Sequence, residues 1–101
     1  MTGHDLLKLK GARFHSLSPQ TQMLIRKAID LQLRASSTRR AIARYELLFD
    51  DDPYAYGHRL AMYRPLLAET QAEIADLMGH LDQAACNETI LKRPMRRRRA
   101  A

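Results

Sequence analysis

Apolar and small residues recur along the middle of this chain at alternating spacings of four and three: Leu24, Ala28, Leu31, Ala35, Thr38, Ile42, Tyr45 and Phe49. That is a heptad seam held over about 25 residues, or roughly 38 Å of helix at 1.5 Å per residue. Ser18-Pro19 starts it well, because the hydroxyl caps free N–H groups and a proline lacks only an N–H that the first turn leaves unpaired anyway. The middle of the seam is weak. Ala35-Ser36-Ser37-Thr38 places small hydroxylated residues where Leu would be expected, which permits close backbone approach or a bend. Asp50-Asp51-Asp52-Pro53 ends the helix and caps the next. A second seam then repeats the pattern through Leu60, Tyr63, Leu67, Thr70, Ile74, Leu77, Leu81 and Ala84.

Two seams of similar length joined by a tight turn predict an all-α fold, an antiparallel helical hairpin. The packing residues expected between helices or between protomers are Leu24, Leu31, Ile42, Phe49, Leu60, Tyr63, Leu67, Ile74, Leu77 and Leu81. Pro65 falls inside the second seam, where it removes one backbone hydrogen bond and crowds the carbonyl of Ala61. A kink is expected there, or a short helix over 54–63 followed by a longer one over about 65–84. Asp5-Leu-Leu-Lys-Leu-Lys predicts a short N-terminal helix stopped by Gly11, and Arg13-Phe-His-Ser-Leu reads as linker. Cys86-Asn-Glu-Thr-Ile-Leu has little periodicity, and the chain from Lys92 onward is expected to be disordered without a partner. The organisation is therefore an arm over 1–17, a hairpin over 18–85 and a flexible basic tail over 86–101. A two-helix hairpin leaves its outer faces wet. Ile25, Ile29, Leu47, Leu48, Met62, Leu66 and Met78 form a second apolar stripe with no covering layer, so a helical-bundle homodimer is expected.

Composition agrees with a helical class and narrows the chemistry. Among 101 residues, 46% are apolar and 28% charged, with four Gly and four Pro, which allows a core and argues against a sandwich or barrel. The single Cys86 excludes a disulfide framework and a Cys-based zinc site. No apolar run approaches 18 residues and the first residues lack a signal-peptide core, so no membrane segment and a cytoplasmic location are expected. His4, His15, His58 and His80 form no metal-ligand spacing, the consecutive acids at 50–52 do not follow the alternate pattern of a calcium loop, and no glycine-rich phosphate loop occurs. A compact helical mutase that binds dicarboxylates would need inward-facing Arg, Lys and Glu, and the seams carry no such set. The chain is expected to be no enzyme and to need no cofactor.

The net charge of +6 is unevenly placed. Residues 1–49 hold nine Lys/Arg against three acids, residues 50–91 hold two against eight, and these blocks cancel. All the excess lies in Lys92, Arg93, Arg96, Arg97, Arg98 and Arg99. A basic helix laid on an acidic one predicts cross-helix ion pairs that set register, each contributing only about 0.2–1 kcal/mol. The tail is a candidate polyanion contact, with steep salt dependence, and Arg39, Arg40 and Arg44, near Arg34, make a second candidate ridge for phosphate. Tyr45, Tyr54, Tyr56 and Tyr63 are expected to plug the turn end of the hairpin.

The order Leu17-Ser18-Pro19, a long helix, Leu48-Phe49 with Pro53-Tyr54 and Gly57, then Tyr63 and Ala72-Glu73-Ile74 resembles the TraM-type quorum-sensing antiactivators of conjugative plasmids, over about residues 17–83. The chain departs from that family in its longer first helix, the proline inside the second and the Arg-rich end. The resemblance implies a helical dimer that sequesters a transcriptional activator without catalysis. The sequence as a whole points to a small regulatory or adaptor protein that binds a protein partner through a hairpin face. The alternative is a nucleic-acid-associated protein using the tail and the Arg34–Arg44 ridge.

Overall fold

The computed structural model describes the backbone of residues 1–100 and the side chains of residues 1–88. Four helices follow one another: α1 (Gly3–Leu7), α2 (Ala12–His15), α3 (Pro19–Leu48) and α4 (Pro53–Ala100). The two long helices pack as the expected hairpin, and no strand occurs among the described residues. The starts of both long helices use the residues that the sequence singled out. Ser18 Oγ accepts from the Thr21 N–H at 3.4 Å, and Asp52 Oδ1 accepts from the Ala55 N–H at 3.2 Å. Each satisfies a donor that the first helical turn cannot pair. At Pro65 the helix continues without interruption, so the split into two helices does not occur. One missing bond in so long a ladder is offset by packing on either side, with Leu60 and Thr70 both buried. The backbone also stays helical over 86–100, so the expected flexible tail from residue 86 does not occur either; Lys, Arg and Met favour helix where no seam is needed.

The chain forms two compact units, residues 1–29 with 75–101 and residues 30–74. In the first, Leu6, Leu17, Ile25, Ala28, Leu77, Leu81 and Ala85 make the core, with Leu6 and Leu81 fully shielded from solvent. Burying each large aliphatic side chain contributes about 1.5–3 kcal/mol. Ile25 thus leaves the uncovered stripe expected for it: it is 2% exposed. The N-terminal arm supplies the additional layer. The Gly3 N–H donates to Asp82 Oδ1 at 2.6 Å, and Gln22 Nε2 donates to the carbonyls of His15 and Leu17.

The arm differs from expectation in detail. Its first helix begins at Gly3 rather than Asp5, because Thr2 and Asp5 form a reciprocal cap in which Asp5 also accepts from the Thr2 N–H. Those bonds hold the Asp5 carboxyl below its ordinary range. Gly11 does not stop this helix; at φ 60° and ψ −133° it opens α2, the turn of helix in the stretch expected to be linker. A Cβ added at Gly3 would lie 2.7 Å from Asp82 Oδ1 and 3.0 Å from Leu81 Cβ. Gly3→Ala is therefore expected to lift α1 off α4, destabilising the fold by about 1–3 kcal/mol as overpacking does. Faster hydrogen exchange at the Gly3 and Leu6 amides would show it, and unchanged exchange would refute it.

In the second unit Leu31, Ala35, Thr38, Leu60 and Thr70 are buried. In the small, hydroxylated middle of the first seam the two seam positions are closely packed, Ala35 being 1% exposed and Thr38 6%, whereas Ser37 is exposed. Thr38 and Thr70 satisfy their own hydroxyls by donating to the carbonyls of Arg34 and Leu66, each at 2.9 Å. Buried hydroxyls therefore sit in the seam with no unmet bond. Leu24, Ile42, Tyr63, Leu67 and Ile74 are half-buried, and Phe49 is 39% exposed. Among the described residues, no helix is long and apolar enough to cross a membrane.

Candidate functional site

The turn end of the second unit brings together side chains from both long helices. Tyr45 stacks on Tyr56 with centroids 5.9 Å apart and on Tyr63 at 5.6 Å. Arg59 lies over the Tyr45 ring at 5.4 Å and donates from Nη1 to the Tyr45 hydroxyl at 3.3 Å. That bond favours the charged guanidinium and pushes its pKa up. Three of the four tyrosines thus make the expected plug. Tyr54 does not join it and is 90% exposed, because its position in the first turn of α4 faces solvent.

On the other flank of the hairpin Arg64 Nη2 meets Glu46 Oε1 at 3.4 Å, with both side chains mostly exposed. This ion pair reverses the expected sense: the acid comes from the basic half of the chain and the base from the acidic half. Among the described residues no further ion pair joins the two helices. Complementary net charges of the halves therefore do not set the register. Aromatic stacking and the apolar seam do, since they remove far more surface from water than an exposed pair can. Phe49 covers Gly57, whose added Cβ would meet the Phe49 ring at 3.2 Å. Glu46, Phe49, Gly57, Leu60 and Arg64 line a shallow recess of about 370 Å³.

Several large apolar side chains of the second unit face water: Leu47 at 85%, Met62 at 62% and Leu66 at 42%, besides Tyr54. Of the stripe expected to lack cover, these three and Ile29 are exposed, whereas Leu48 and Met78 are half-buried. Arg34, Arg39, Arg40 and Arg44 are all exposed and have no ion-pair partner among the described residues. The side chains of Lys92, Arg93 and Arg96 to Arg99, and with them the polyanion expectation, lie outside the described residues.

The first unit holds a recess of about 590 Å³ beside the start of α3. Glu88 and Thr21 are its buried members, 8% and 4% exposed; Glu88 is the charged one. Its Oε1 accepts from the Ser18 N–H at 3.1 Å and from the Thr21 hydroxyl at 3.2 Å. An expected boundary at 85 would place Glu88 in the tail, yet it ties α4 to the first turn of α3. Its signal in the sequence was faint, since one acid in a stretch of weak periodicity gives no hint of a bond across 70 residues. His80 pairs only with Asp76 one turn away, at 3.6 Å and exposed. No group of three or more His, Cys, Asp or Glu is placed to hold a metal among the described residues. No protein-family model matches the chain, and no curated protein or solved structure matches it at a significant level.

Proposed function

We propose that this chain is a non-enzymatic protein-binding module that recognises a partner protein through the turn end of its hairpin. The observation that carries this reading is the exposure of two large side chains there, Leu47 and Tyr54, beside an aromatic plug. An exposed Leu and Tyr presented at the ends of two packed helices suit recognition in which apolar anchors fill a partner's pockets. The resemblance to TraM-type antiactivators gives the partner a form, a transcriptional regulator that the module would antagonise.

A second reading rests on the exposed, unpaired Arg34, Arg39, Arg40 and Arg44, which could follow a phosphate backbone. One pair of measurements separates the two. A photo-cross-linking residue placed at Leu47 or Tyr54 of the full chain is expected to capture a discrete protein in the producing cell. That protein, once purified, should bind the chain and lose about tenfold or more in affinity on Leu47→Ser with Tyr54→Ser. In parallel, DNA and RNA binding is followed by fluorescence anisotropy over a salt series. Failure to capture such a protein, together with a salt slope that falls by about one phosphate for each of Arg39, Arg40 and Arg44 replaced by Ala, would give the nucleic-acid reading the lead.

A further inference from the structure

The outer flank of α4 in the second unit carries Ala55, Arg59, Met62, Leu66, Glu69 and Glu73, spaced four, three, four, three and four apart. This order of spacings is the same read in either direction. Two copies of the flank laid antiparallel about a two-fold axis level with Arg64 therefore bring each position onto a partner position. Met62 of one copy falls on Leu66 of the other, and Leu66 on Met62. Arg59 falls on Glu69, Glu69 on Arg59, and Ala55 on Glu73. A two-fold interface requires such self-complementarity, a patch that pairs with itself in both charge and apolarity.

The side chains are available for it. Met62 is 62% exposed and Leu66 42%, and Arg59, Glu69 and Glu73 are exposed as well. Neither Glu69 nor Glu73 has an ion-pair partner among the described residues. Arg59 is held in place by the Tyr45 hydroxyl through Nη1 alone, which leaves its other donors free. A guanidinium fixed in this way loses less side-chain freedom on pairing than a free one. The same contact places the Arg59 end of the flank beside the tyrosine plug.

We infer that the α4 flank is a homodimer interface, in which Met62 and Leu66 pack across a two-fold axis and Arg59 of each copy pairs with Glu69 of the other. The inference rests on the protein-recognition reading but uses different residues from those that report it, since Leu47 and Tyr54 lie off this flank. The interface has an apolar centre and a charged rim, the usual anatomy of a specific contact. Its charges also exclude a parallel arrangement, which would set Arg59 on Arg59 and Glu69 on Glu69.

The test uses the full chain and its mass by light scattering after gel filtration, over a dilution series. The wild-type chain is expected to have the mass of two 11.6 kDa chains. Glu69→Arg and Arg59→Glu should each weaken the dimer by about tenfold or more, because each sets two like-charged pairs across the axis. Mixing the two variants in equal amounts should restore the dimer, since every pair is then opposite in sign, and the double variant should restore it too. Circular dichroism checks that both single variants keep the hairpin, as their exposed positions predict. A monomeric wild-type chain would overturn the inference. So would a dimer that neither variant weakens, or single-variant defects that mixing fails to rescue. In all three cases a protein captured at Leu47 or Tyr54 would still support the wider reading.

Discussion

Leu81→Ala lowers the free energy of unfolding by about 2–5 kcal/mol, the range for a large-to-small change at a site that cannot collapse. Leu81 is fully shielded from solvent, and its neighbourhood is fixed from more than one direction. The arm approaches so closely that a Cβ on Gly3 would stand 3.0 Å from Leu81 Cβ, and the Gly3–Asp82 hydrogen bond holds it there. The arm therefore has little freedom to move into the space that a truncated side chain leaves. Chemical denaturation followed by circular dichroism gives the number, and a loss below about 1 kcal/mol would mean that the arm does not close this core. Leu67→Ala provides the contrast. That side chain occupies an equivalent position in the heptad yet is only half-buried, so less surface returns to water and the loss should be smaller.

The second large effect is expected at Glu88. Glu88→Ala removes the acceptor that the Ser18 N–H and the buried Thr21 hydroxyl share, and losing the partner of buried donors costs about 1–3 kcal/mol. The Ser18 hydroxyl still accepts from the Thr21 N–H, so the start of α3 keeps one of its caps and the helix should loosen rather than melt. Glu88→Gln keeps a side-chain oxygen in reach and should recover most of the stability. Hydrogen exchange at the amides of Ser18 and Thr21 resolves the local effect. Equal losses for Ala and Gln would show that the charge beside the helix start, rather than the hydrogen bonds, is what α3 requires.

Heptad spacing alone located α3 and α4 as far as residue 84, and much of their packing, but not the unbroken run of α4 past Pro65 and beyond 85. Ala28, Leu31, Ala35, Thr38, Leu60, Thr70, Leu77 and Leu81 were all readable as seam positions and are buried, because 3.5-residue periodicity places them on one stripe of a helix whatever else the chain does. The caps at Ser18 and Asp52 were equally readable, since a helix start needs an acceptor within three residues. The tyrosine plug could be read in part, from residues close to a turn that has to bring them together. What lay beyond reach was any contact whose partners have no local relation. Ile25 looked like a member of an uncovered stripe, because nothing in its own helix says that an arm will add a layer to its unit.

Local composition determined this protein's helices, its seam and the sites where the long helices begin. Tertiary structure alone decided the covered face of Ile25, the bond from Glu88 to the first turn of α3, and the Arg59 contact that orders the α4 flank. The physical reason is range. Periodicity and capping act over three or four residues and leave a pattern in the sequence. A hydrogen bond across 70 or 79 residues forms only when the packed helices bring both groups to one place.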